Sequence, residues 1–157
     1  MQATKIRSQP LKALLLLLPL GALPPGIASA ALGAPESSVQ ADATEVRGSI
    51  KVQERALYRV HEIQMPSGTL VREFVSPAGK VFAVAWRGPM MPNLRQTLGQ
   101  YFDNYVAAST LKEAHHRRVQ IHRDDLVVES AGHMRAFAGR AYLPNAIPSG
   151  VNLGDLQ

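Results

Sequence analysis

Short runs that alternate apolar and polar residues, separated by turn residues, make up most of the chain from residue 45 onward. Runs of this length that are rich in β-branched and aromatic residues are typical of β-strands. Four strands are predicted before residue 90, at 45–52, 56–65, 70–75 and 81–86. Proline and glycine lie between the last three runs and provide the fixed and the positive φ angles that tight turns need. We therefore expect these three strands to form an antiparallel meander.

Residues 81–86 are apolar at every position, so both faces of this strand should be covered by other parts of the protein. Pro92 and Asn93 provide a start signal for a helix of roughly 14 residues that would cover one face. Gly99 inside this helix costs about 1 kcal/mol relative to alanine, which indicates close packing at that point. The apolar stripe of the helix consists of Leu94, Leu98, Tyr101, Phe102 and Tyr105.

Strand patterns return after the helix, at 119–122, 126–129 and 133–142, with a hairpin turn expected at Ala131 and Gly132. We predict an α+β fold for one domain, residues 46–157. It has an antiparallel sheet of about six to seven strands with one main amphipathic helix on one face, in the order ββββ-α-βββ. Residues 143–157 contain prolines and glycines as well as Leu143, Ile147, Val151 and Leu153, and form either an apolar strap over the sheet or an exposed tail.

The first thirty residues have the pattern of a cleavable signal peptide. Three cations and no acid are followed by the leucine run 14–18, and Ala28-Ser29-Ala30 offers the small residues that signal peptidase requires. A membrane anchor would need about 20 apolar residues, whereas Pro19 already interrupts this run. We expect cleavage after Ala30 or Ala31, a flexible lead-in over residues 31–45, and export to the periplasm or the medium.

The amino-acid composition excludes several kinds of functional site. The absence of cysteine excludes disulfides, thiolate zinc sites, a cysteine nucleophile and a lipid anchor attached to cysteine. The formal charge of +5 includes the three cations of the leader, so +2 is left after cleavage. A charge this small gives no strong indication of an anionic partner.

Histidine is the main candidate for catalytic or metal chemistry. The five histidines form neither a His-Glu-x-x-His nor a His-x-His pattern, so no metal or cofactor is expected. A small hydrolase or metal-dependent enzyme that uses His61, His133 and nearby acids is one alternative, and Glu62 and Glu73 are acids that could lie across a cleft. That alternative requires the two histidines to converge in one pocket. Placement on opposite faces of the sheet would exclude it.

Two segments are candidates for binding. Residues 86–92 place the only tryptophan, a cation and two methionines in a loop bounded by proline, although Trp86 could instead close the core while a methionine packs beneath the helix. The candidate binding residues are Trp86, Arg87, Met90, Met91, His61, His133 and Arg135. A basic patch could attract an anionic polymer, or could be a solvated linker; it comprises His115, His116, Arg117, Arg118 and Arg123.

Several segments resemble one known family. They are Tyr58-Arg59-Val60-His61, VREFVSPAG at 71–79, VFAVAWRGP at 81–89, Gly132-His133-Met134-Arg135 and Ala141-Tyr142-Leu143-Pro144. With these the chain resembles the domain of unknown function 2844 family, small exported proteins of proteobacteria, over nearly the whole mature length. The resemblance implies a bacterial envelope setting and brings no catalytic residues or cofactor.

The function we expect is that of an exported, non-catalytic envelope protein, an accessory or binding module. Its partner would be another envelope protein or a small ligand, with no specific nucleic acid and no stable membrane insertion after cleavage. The loop 86–91 and the strap 143–157 would be the partner surfaces. Addition of a partner strand to an exposed sheet edge is the expected mode, because a meander sheet leaves two edges open.

Overall fold

Seven antiparallel strands form one sheet in the computed structural model, which describes residues 32–110 and 118–157. Their spatial order is β1-β2-β3-β4-β7-β6-β5, so β4 lies at the centre and β1 and β5 form the edges. The strands are β1 (Ser49–Glu54), β2 (Arg59–Gln64), β3 (Leu70–Val75), β4 (Val81–Gly88), β5 (Arg118–His122), β6 (Val127–His133) and β7 (Ala136–Tyr142). The α+β class and the antiparallel sheet are as predicted.

The last hairpin turns later than predicted. Strand β6 continues through Ala131 and Gly132 to His133, and the turn lies at Met134 and Arg135, where Arg135 has φ +63°. Gly132 serves close packing within the ladder, because a Cβ there would lie 2.5 Å from the ring of Phe137. The prediction of a hairpin turn at Ala131 and Gly132 is therefore wrong.

The prediction of one main helix is wrong. The described ranges contain three α-helices: α1 (Val39–Glu45) precedes the sheet, and α2 (Leu94–Leu98) and α3 (Phe102–Ser109) lie between β4 and β5. Gly99 has φ +52° and separates α2 from α3, because an α-helix cannot continue through that conformation. The predicted apolar stripe still packs against the sheet. No helix in these ranges is long and apolar enough to cross a membrane.

Helix α1 lies within the segment that the sequence indicated as a flexible lead-in. Its Val39 and Ala43, one helical turn apart, are buried together with Leu32. Backbone hydrogen bonds tie the preceding residues to the β3–β4 hairpin: Gly33 N donates to Val81 O at 2.8 Å, and Val81 N donates to Ala34 O at 2.9 Å. Two apolar positions are too few to reveal a helical period in the sequence.

Both faces of the sheet are covered, by different parts of the chain. On the helix face, residues such as Val71, Val84 and Val128 pack against the three helices. On the strap face, a second cluster packs against residues 143–157, in which Leu156 is completely buried. The strap face contains Val60, Phe74, Phe82, Ala83, Ala85, Val127 and Tyr142. Residues 143–157 therefore form a docked strap, with Ile147 and Val151 also against this cluster.

Trp86 is held on the helix face by a close approach to Gly139. The two residues are register partners in β4 and β7, and a Cβ on Gly139 would lie 2.3 Å from Trp86 Cζ2 and 2.8 Å from Glu129 O. The glycine therefore makes room for the indole in the centre of the sheet.

Gly139→Ala should lower the free energy of unfolding by about 1–3 kcal/mol, because the new methyl group overpacks the site. Urea unfolding measures the loss. The loss should shrink when Trp86 is also replaced by leucine, and Gly154→Ala, whose Cβ meets only the flexible Asn152 side chain at 3.2 Å, should change stability by less than about 0.5 kcal/mol. Equal losses at Gly139 and Gly154 would contradict the close approach.

Candidate functional site

A groove of about 350 Å³ crosses the strap face beside the docked strap. It lies over strands β4, β7, β6 and β5, and the strap residues Leu156 and Gln157 form one of its walls. Leu156 is buried while the strands beside it stay open, so the groove begins where the strap ends. A larger concave surface of about 600 Å³ also lies beside the strap, but there Arg55 and Arg72 are accompanied by two acids, Glu62 and Asp155.

Strand register places two arginines at opposite sides of this groove. Arg87 pairs with Ala138, Ala138 with Ala131, and Ala131 with Arg118. With neighbouring strands about 4.8 Å apart, the Cα atoms of Arg87 and Arg118 are roughly 14 Å apart. Both arginines are exposed, and the two alanines between them leave an open floor.

The next register row of the strap face contains two arginine–glutamate pairs, one on each side of Ala85. Arg140 Nε donates to Glu129 Oε2 at 2.8 Å, and Arg72 Nε donates to Glu62 Oε1 at 2.8 Å. Each arginine also holds the strap: Arg140 Nη1 donates to Leu153 O at 2.8 Å and Arg72 Nη1 to Gln157 O at 2.7 Å. The strap is thus fixed by hydrogen bonds as well as by Leu156.

These pairs alter the acidity of both glutamates. The hydrogen bond from Arg140 lowers the pKa of Glu129, with burial opposing the effect. The hydrogen bond from Arg72 lowers the pKa of Glu62 in the same way. Glu129 is therefore an ionised, hydrogen-bonded group at neutral pH. Within the described ranges no carboxylate forms an ion pair with Arg87 or Arg118, so the groove has an excess of positive charge.

The structure separates most of the predicted loop residues. Trp86 is buried on the helix face, whereas the neighbouring Arg87 points into the groove. Met91 is half-buried against the helix-face cluster, and Met90 is 59% exposed. Thr69 Oγ1 donates to Met90 O at 2.7 Å, which holds this segment against the start of β3. Of the predicted loop residues, Arg87 and Trp86 line the groove, whereas Met90 and Met91 do not.

The histidine-based enzyme hypothesis fails in the form in which it was stated. His61 is buried on the helix face, where Nε2 lies 2.8 Å from Glu36 Oε1. His133 lies exposed on the strap face near the β6–β7 turn, because side chains alternate along β6. Glu62 and Glu73 also lie on opposite faces, so they do not line a common cleft. In the described ranges no group of three or more His, Asp or Glu side chains is arranged to hold a metal ion.

The other predicted residues are distributed as follows. Arg135 lies in the β6–β7 turn, outside the groove lining. Of the basic patch, Arg118 enters the groove, while Arg123 Nε donates to Asp125 Oδ1 at 3.1 Å within its own turn. His115, His116 and Arg117 lie outside the described residues, as does the predicted leader, residues 1–30.

Arg140, Glu129 and Arg72 were not predicted as site residues. Each is a single charged position in an otherwise ordinary strand. Arg140 meets Glu129 only through the pairing of β6 with β7, and Arg72 meets Glu62 only through the pairing of β2 with β3. A correct register would have been the signal, since opposite charges at directly paired positions stabilise antiparallel strands.

The family model described as "Protein of unknown function (DUF2844)" matches residues 28–156. The chain belongs to this family. All three groove arginines, Arg87, Arg118 and Arg140, lie inside the region that matches DUF2844. No curated protein and no solved structure matches the chain.

Arg140→Gln should raise the pKa of Glu129 toward its ordinary value of 4.5, because the hydrogen bond that lowers the pKa is lost. The native pair contributes stability above pH 4.5 that is lost as the pH falls through the lowered pKa of Glu129. We expect the contribution to be about 1 kcal/mol or less, since these side chains are 25% and 33% exposed.

NMR titration of the glutamate carboxyl carbons measures both pKa values. Arg72→Gln is the matched control, and should raise the pKa of Glu62 while leaving that of Glu129 in place. An unchanged Glu129 pKa in Arg140→Gln would contradict the pairing.

Proposed function

We propose that this protein is an exported, non-catalytic binding module that takes an anionic ligand in the groove of the strap face. The observation that carries the proposal is the pair Arg87 and Arg118, which face each other across an alanine floor and have no carboxylate partner in the described part of the chain. Two arginines placed in this way suit the recognition of an anion.

Guanidinium groups suit this task. Each presents several N–H donors in one plane and can bind a carboxylate, phosphate or sulfate with two hydrogen bonds. A flexible arginine side chain can reach inward from either side of the roughly 14 Å span between the two Cα atoms. Glu129 does not oppose the ligand strongly, because its charge is already compensated by Arg140 at 2.8 Å.

The shape of the groove favours a ligand with at least two anionic groups. The separated arginines can hold two such groups, while Ala131 and Ala138 provide apolar contact between them. An anionic polymer of the cell envelope fits this description. The proposal thereby unites two of the functions expected from the sequence, a binding module and a binder of anionic polymers.

Export is supported by the cationic leader, its leucine run and its small residues before Ala31. The family resemblance to small exported proteins also supports export. Mass spectrometry of material recovered from the envelope should show a chain that begins at Ala31 or one residue later.

Heparin is a suitable probe for the groove. The protein should bind to immobilised heparin at low salt and elute as the salt rises, because exposed charges are screened. Arg87→Gln and Arg118→Gln should each weaken binding at least about tenfold, since a hydrogen bond to a charged group contributes about 1.5–3 kcal/mol. Calorimetric titration with a heparin oligosaccharide measures these changes.

Arg123→Gln is the matched control, because it removes the same charge from an exposed arginine outside the groove. We expect it to leave the affinity nearly unchanged. Losses of equal size in all three variants would show that net charge alone governs binding, and absence of binding at low salt would overturn the anionic-ligand proposal.

A further inference from the structure

Glu73 is a buried acid that the proposed binding groove does not use. It lies in the middle of β3 on the helix face, and its side chain is only 2% exposed. Its Oε2 atom is buried and has no hydrogen-bond partner among the described residues. Opposite it lies Asp42 of α1, which is 5% exposed. The two acids line a small cavity of about 30 Å³ where α1, β3 and the start of α2 meet.

The surroundings of this cavity are poorly suited to a second negative charge. Val46, Ile63, Val71 and Met65 contribute apolar lining, and Asn93, Gln96 and Thr97 contribute neutral polar groups. An isolated carboxylate in such a place is strongly destabilising, and proteins usually neutralise it. Burial, followed by the negative charge of Asp42, raises the pKa of Glu73 to about 8.

Among the described residues, the neighbouring charged groups provide no cation for Glu73. On β2, His61 is its register partner, but the His61 ring is bonded to Glu36, which also pairs with Arg59. On β4 the register partner is the apolar Val84. On α2, Arg95 lies over the ring of Phe102, 4.4 Å from its centroid, and Gln96 donates to Glu45.

We propose that Glu73 stays protonated at neutral pH because it is buried beside Asp42, and that this proton makes the docking of α1 on the sheet sensitive to pH. When Glu73 loses the proton, two carboxylates face each other beneath α1. Repulsion and hydration then favour the state in which α1 has moved away and water reaches the acids. This pH response needs no ligand other than the proton, because Glu73 takes the proton from solvent and releases it to solvent.

The direction of the pH effect follows from the raised pKa. An undocked or unfolded Glu73 has its ordinary pKa of 4.5, so between pH 4.5 and about 8 the native protein holds one more proton than the unfolded chain. Stability therefore falls as the pH rises through this window and levels off above pH 8. The equilibrium constant for unfolding should rise by up to about tenfold per pH unit from this group alone.

The test compares urea unfolding of the unmodified protein with Glu73→Gln from pH 5 to 9. The ratio of their unfolding constants should rise about tenfold per pH unit up to pH 8, because glutamine does not ionise. Glu62→Gln is the matched control, made on the neighbouring strand and the opposite face. Since the pKa of Glu62 is lowered, its ratio to the unmodified protein should stay constant over this range. Parallel curves for the unmodified protein and Glu73→Gln would overturn the proposal.

Two further measurements use the unmodified protein and stay decisive even if Glu73→Gln does not fold. NMR titration of the Glu73 carboxyl carbon should give a midpoint near pH 8, and a midpoint near the ordinary 4.5 would overturn the proposal. Amide exchange, corrected for its intrinsic pH dependence, should show protection of Ala43 in α1 falling faster with pH than protection of β4. Stabilisation at pH 9 by added Ca²⁺ or Mg²⁺ would show that a metal ion takes the place of the proton, and would also overturn it.

Discussion

Residues 81–86 of the central strand β4 are shielded from water on both faces, and the helices and the strap provide this cover. Residues 81–86 of this strand are all buried, some within the helix-face cluster and others within the strap-face cluster. An isolated meander of four strands would leave both of these faces exposed. Segments that are distant in the chain therefore complete the fold: α1 and the pair α2 and α3 on one side, and residues 143–157 on the other.

The candidate site results from the way in which the strap covers its face of the sheet. The strap is narrower than the sheet, so it buries the aromatic cluster around Phe74 and leaves the register row of Arg87 and Arg118 open. Because the groove arginines project from paired strands, the sheet fixes their spacing. Arg140 connects the two features, since it bonds both to the strap at Leu153 O and to Glu129 in the groove.

The sequence was informative wherever a pattern repeats over several residues. The strands, the central position of β4 and the apolar stripe from Leu94 to Tyr105 follow from alternation or helical spacing. Helix α1 was missed because its two buried residues, Val39 and Ala43, form too short a pattern. Gly99 was recognised as unusual, but its effect depends on a positive φ that the sequence does not reveal.

The site was harder to predict than the fold, because strand register decides which residues meet. Arg87 and Arg118 were both candidates, but in two separate groups, and the link between them is the ladder through Ala138 and Ala131. Trp86, a candidate binding residue in the sequence, lies within β4 and packs over Gly139. Long-range pairing of this kind is set by the whole sheet and not by any local segment.

Amide hydrogen exchange along β4 tests most directly whether covering both faces stabilises the sheet. We expect Leu156→Ala to speed exchange in β4 more than tenfold, because replacing a fully buried leucine destabilises by about 2–5 kcal/mol. Leu153→Ala, at a position in the same strap that is 41% exposed, should leave exchange close to that of the unmodified protein. Equal exchange of β4 in both variants would contradict the role of the strap.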